Sequence, residues 1–193
     1  MDKEAFFEID NLTADKAHKR IQEELAAKGR NGCGSCTQCC TTMRVEMAPL
    51  DLPSKPEHKP CQFLCKKGCS IYDNKPESCT AFICLWLATQ LFDAPLPRRM
   101  RPDKCKVVMD ANSKGYIVAH CATPNAWRDS AVYDALLFYA SRTKVLIVLS
   151  NGKRLLMHSD GSTEPLIACG EAENGELLYR TYTLEERLQY GQR

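Results

Sequence analysis

The chain has 193 residues, with 26 lysines and arginines against 24 aspartates and glutamates, and it carries 12 cysteines. That length allows one substantial core or two small units, and the near-balanced charge excludes the electrostatic footprint of a nucleic-acid or anionic-membrane binder. The acidic first ten residues hold no apolar run of signal-peptide length, and no window approaches the roughly 18 apolar residues of a membrane span, so we expect a cytoplasmic protein whose thiols stay reduced.

In chain order, residues 13–28 read as a helix: Thr13 caps it, Ile21 and Leu25 share one face, and Gly29 ends it. Three prolines within residues 53–60 forbid regular structure and predict a loop on which the chain doubles back. Residues 76–91 predict a helix opened by Pro76, with Ala81, Phe82, Leu85, Trp86 and Leu87 as its apolar face. It meets a breaker and a plausible boundary in the proline- and arginine-rich run 95–102.

The remainder predicts a small α/β unit. Residues 104–109 and 116–120 read as strands, and Thr123-Pro124 opens a helix through about Ser141. Residues 144–150 and 153–158 read as a hairpin about Asn151-Gly152. Strands at 165–169 and 176–182 follow, then a short helix with Thr183 and Glu186 as a capping box. The predicted fold class is α+β: an N-terminal helical segment (1–32), an irregular, partly helical cysteine cluster (33–102), and the α/β unit with its Asn-Gly hairpin (103–193) packed on it.

Nine of the 12 cysteines lie between Cys33 and Cys84. In a reducing compartment such density points to metal or redox chemistry. A Cys-x-x-Cys turn brings two sulfurs onto one ion at about 2.3 Å. Cys33, Cys36 and Cys39 extend this to the spacing also used by bacterial iron–sulfur motifs. Adjacent residues point their side chains apart, so the Cys39-Cys40 doublet suggests paired centres or one polynuclear cluster rather than a single zinc. Four further ligands come from Cys61, Cys69, Cys79 and Cys84; Cys65 is able to replace Cys61 or Cys69. On a helix, the spacing from Cys79 to Cys84 turns the two thiols apart by about 1.4 turns.

The order Cys33-x-x-Cys36-x-x-Cys39-Cys40, then Cys61-x-Phe63-Leu64, then Cys69-x-Ile71-Tyr72, Pro76, Cys79, Phe82, Cys84 and Trp86 resembles the YkgJ family of zinc- or iron-chelating cysteine-cluster proteins. The run from Met100 to Cys105 looks like the segment that often follows, so the likeness covers residues 33 to about 105. It implies metal binding through Cys33, Cys36, Cys39, Cys40, Cys61, Cys69, Cys79 and Cys84. The cofactor is an iron–sulfur cluster or zinc, with a slight lean to iron–sulfur. Where the family commonly has Arg-Pro this chain has Lys75-Pro76, which removes a bidentate donor. A similar cluster in flagellin lysine N-methylases adds an enzymatic alternative by analogy. The expected roles are electron transfer with a redox partner or, alternatively, a structural zinc module for an unknown protein partner, with neither nucleic acid nor membrane involved.

Other residues have plainer readings. Cys105, Cys121 and Cys169 are expected to be core thiols, and His120 a strand-end surface histidine beside one of them, although the His120-Cys121 pair is a candidate second site. His58 is a candidate ligand but, as a loop histidine, is expected to be solvated; His18 and His158 stand alone. Ile71, Tyr72, Phe82 and Trp86 are expected to shield the metal from water. Arg98, Arg99 and Arg101 read as a solvated basic loop or, less simply, a docking point for an acidic partner.

Overall fold

A computed structural model describes residues 23, 24, 27, 35–47, 52–90, 95–112, 115–171 and 177–189. The helix expected over 13–28 lies outside them except for Glu23, Glu24 and Ala27, which are helical. The described elements run α1 (Gln38–Thr42), β1 (Leu64–Cys65), β2 (Gly68–Cys69), a 3-10 turn (Tyr72–Asn74), α2 (Glu77–Ala81), α3 (Leu85–Thr89), a 3-10 turn (Arg98–Met100), α4 (Pro102–Cys105), β3 (Val107–Ala111), β4 (Ile117–Cys121), a 3-10 turn (Ala126–Arg128), α5 (Ser130–Ala140), β5 (Val145–Val148), β6 (Arg154–Met157), β7 (Thr163–Glu171), β8 (Leu177–Thr181) and α6 (Leu184–Gln189). The fold class is α+β. Among the described residues, no helix is long and apolar enough to cross a membrane.

Strands β3 to β8 form one sheet in chain order, and β1 with β2 forms a separate two-stranded hairpin. Every neighbouring pair is antiparallel except β4 and β5, which run parallel. A parallel pair needs a crossover, and α5 supplies it. Because side chains alternate along a strand, the register sorts the sheet into two faces. Met109, Ala119, Ile147 and Leu155 stand opposite one another across four strands. Met109, Ala119 and Ile147 form a core with Ala131, Val132, Leu136 and Tyr139 of α5, and Leu85 and Met100 from the preceding segment join them. Val108, His120, Val148 and Arg154 make the next row. There Val108 packs with Cys84 and Leu87, so the cysteine-rich segment lies against that row.

Several boundaries differ from expectation, each for a local reason. The helix expected over 76–91 is two short helices, with Phe82 and Cys84 extended between them. The strand expected from Lys104 begins at Val107, because Pro102 opens α4 and Lys106 ends it in the left-handed conformation at φ 62. The cap of α5 is Asp129, whose carboxylate accepts from Ala131 N and Val132 N, not Thr123. The Asn151-Gly152 turn closes with Gly152 at φ 81, and Asn151 Oδ1 accepts from Lys153 N at 3.1 Å. The capping box forms as expected: Thr183 N donates to Glu186 Oε2 at 2.8 Å, and Glu186 N to Thr183 Oγ1 at 3.2 Å.

Candidate metal centre

Helix α1 is a single turn, too short to persist alone, and side chains fasten it. Gln38 Nε2 donates to both Thr41 Oγ1 and Thr42 Oγ1 at 3.0 Å, and both hydroxyls donate back to Gln38 O at 2.8 Å. This turn presents Cys39 and Cys40. The chain then doubles back, as the prolines require: Val45 and Lys55 exchange backbone hydrogen bonds at 3.0 and 2.8 Å, and His58 N reaches Thr42 O at 3.1 Å. Cys61 N donates to Cys40 O at 2.9 Å, which seats Cys61 against the doublet. The hairpin that follows pairs Leu64 with Cys69 and Cys65 with Gly68, and the turn of Tyr72–Asn74 leads into α2 with Cys79.

Five half-buried thiols share one electrostatic neighbourhood. Cys40, Cys61 and Cys69 act together on Cys79, while Cys39, Cys40 and Cys61 act together on Lys55. A hydrogen bond from the Cys39 thiol, aided by Lys55 and Lys75, brings Cys40 down to about 6. Burial and the negative charge of the other thiolates push Cys79 up. Lys55 is buried, and its ammonium donates to Met43 O and, at 3.0 Å, to Pro56 O. Burial pulls its pKa down, and the three thiolates oppose that. Lys75 lies 4.1 Å above the Tyr72 ring and makes a point charge where an Arg would give a fork. Lys55 went unremarked in the sequence; its only trace there is a lone lysine between Pro53 and Pro56.

The other expected ligands that the structure describes, Cys36 and Cys84, have different neighbours. Cys33 is outside the described residues. Cys36 is half-buried and acts electrostatically on Cys105, and its neighbour Ser35 accepts from Arg101 Nη2 at 2.8 Å. Cys84 is buried with Leu87 and Val108 because the chain between α2 and α3 is extended there. Cys65 is exposed. The hydrogen bond between Cys39 and Cys40 turns the doublet's sulfurs toward each other rather than apart, so the doublet no longer separates two centres from one. Among the described residues, no three His, Cys, Asp or Glu side chains are grouped to hold a metal ion as they stand. The donor chemistry nonetheless fits zinc or iron: soft thiols whose mutual repulsion a cation would relieve.

Four other expectations are corrected. Tyr72 is 53% exposed rather than packed inward, and Cys169 is exposed on β7 rather than in the core. His120 is buried, not superficial, with Nε2 3.5 Å from Asp110 Oδ1 and Nδ1 unpartnered. His58 is also drawn inward: it adopts φ 55, and its Nε2 is buried without a partner. Cys121 is the expected core thiol, fully buried and pushed up to about 12 by that burial.

Compared with protein-family models, curated proteins and solved structures, the chain matches none.

Proposed function

We propose that the chain is a cytoplasmic metal-binding protein of the YkgJ type, holding zinc or an iron–sulfur cluster through its cysteines. Cys39, Cys40, Cys61, Cys69 and Cys79 would be the inner ligands, with Cys33, Cys36 and Cys84 completing the set. The observation that supports this reading is the mutual electrostatic influence of thiols from four stretches, Cys39 and Cys40, Cys61, Cys69 and Cys79, with the backbone bond from Cys61 N to Cys40 O tying two of them. An uncompensated group of thiolates would repel itself open, and a bound cation removes that repulsion and contributes to folding. An iron–sulfur cluster supplies electron transfer to a redox partner. With the doublet no longer arguing for paired centres, a structural zinc module that holds the segment rigid for a protein partner is the second reading.

Anaerobic purification followed by an absorption spectrum, with metal and sulfide analysis of the same sample, tests both. A brown sample that bleaches on reduction and contains iron with sulfide is the first; a colourless sample with stoichiometric zinc is the second. Less than about one metal atom per chain sinks the proposal.

A further inference from the structure

A cleft of about 620 Å³ opens between the Arg98–Met100 turn, α4 and the start of α5, lined by Arg98, Arg99, Lys104, Cys105 and Asp129. It is shallow and open to solvent, with a volume in the roughly 300–1,000 Å³ range of small-molecule sites. Its charge is lopsided. Met100 is buried and anchors the turn, and Met100 N to Pro97 O at 2.8 Å and Arg101 N to Arg98 O at 3.1 Å fix the backbone that carries both arginines. Among the described residues, the guanidinium groups of Arg98 and Arg99 have no acidic or hydrogen-bonding partner. Lys104 has only Asp103, at 3.8 Å, and that carboxylate is already held by Arg101 at 2.7 Å. The one acid in the lining, Asp129, is committed to capping α5. Cys105 gives the lining a neutral floor: burial raises its pKa, and its thiol donates to Met100 O at 3.3 Å.

We propose that this cleft binds a phosphate-bearing small molecule of nucleotide size, its anionic group held by Arg98, Arg99 and Lys104. Two guanidinium groups on one turn and an ammonium on the next helix line the same cleft, and they suit the several oxygens of a tetrahedral phosphate better than the single plane of a carboxylate. Arg101 is a positioning residue: it faces away, joining Asp103 to Ser35 beside Cys36, and so fixes the cleft wall to the cysteine-rich segment. The proposal stands without any bound metal.

Calorimetric titration of the full chain as purified, with metal content measured alongside, provides the test. ADP and inorganic pyrophosphate are the probes, citrate the carboxylate control. The expected result is binding of ADP and pyrophosphate, weakened about tenfold or more in the Arg98→Ala/Arg99→Ala double variant and several-fold in Lys104→Ala, while Arg142→Ala stays within about twofold of the parent. Metal content is expected to stay at the parent level in all variants, so failure here is separable from failure of the metal proposal. Absence of ADP and pyrophosphate binding at millimolar concentration, an unchanged affinity in the double variant, an equal loss in Arg142→Ala, or citrate binding as tightly as ADP each overturns the proposal.

Discussion

Arg154, the first residue of β6, holds the carboxylate of Glu57 at 2.9 Å across 97 residues of sequence, while its guanidinium lies 4.5 Å from the centre of the Tyr179 ring. This pair is the polar seam by which the proline-rich loop is seated on the sheet. Both side chains are about a fifth to a quarter exposed, at 19% and 27%, so the pair is screened less than a surface pair but is not fully desolvated. A double-mutant cycle with Arg154→Ala and Glu57→Ala is expected to give a coupling of about 1 kcal/mol. Arg154→Ala alone is expected to cost more than Glu57→Ala, because it also loses the contact with Tyr179. Denaturant midpoints of the four proteins measure this.

His58 sets a pH dependence. Burial, followed by His120, Arg154 and Lys55, holds it below its ordinary value of 6.5, against the pull of Glu57. The unfolded chain therefore binds the proton first as pH falls, so this contribution to stability is present above that ordinary value and is lost on acidification through the folded one. Unfolding curves between about pH 7.5 and pH 5 are expected to show a smaller loss in His58→Asn than in the parent. Asn tolerates the positive φ of this position, so the comparison isolates the imidazole. Equal slopes for the two proteins would remove His58 from this role.

The cysteines divide into classes by position. On the proposed reading, Cys61→Ser and Cys79→Ser are each expected to lose most of the metal that the parent holds and to lower the melting temperature by roughly 10 °C. Cys65→Ser and Cys169→Ser, at exposed positions, are expected to match the parent in both. Metal analysis and calorimetry on the same preparations decide it.

Gly161 has φ +84, and a Cβ there would run into the hydroxyl of Tyr133, which donates to Gly161 O at 3.3 Å. Gly161→Ala is expected to destabilise by about 1–3 kcal/mol, seen as a lower denaturant midpoint at unchanged slope. Adding Tyr133→Phe to that variant removes the clashing atom and is expected to recover part of the loss.

What could be read in advance follows from how local each cause is. The Asn151-Gly152 turn and the Thr183/Glu186 box depend on residues a few positions apart, and both are where the pattern placed them. The doubling back over 53–60 was likewise legible, since prolines act on their own backbone. The parallel pairing of β4 with β5 was not, because each strand pattern is equally compatible with either direction. Nor was the burial of His120, which depends on Val108 and Val148 arriving beside it from the two neighbouring strands. Within the candidate centre, the spacing around Cys39 and Cys40 announced thiol chemistry. The interruption at Phe82–Cys84, which sends Cys84 to the sheet, rests on tertiary packing against Val108 and Leu87.

The seam also has a consequence in time. Synthesis runs from the N-terminus, so the thiols of the cysteine-rich segment leave the ribosome well before the sheet that will cover them. At roughly 5–20 residues per second, the 97 residues from Glu57 to Arg154 take roughly 5–20 seconds. For that interval the thiols have no platform against them. If the chain takes up the proposed metal, loading and thiol oxidation would compete on the nascent chain before the sheet forms.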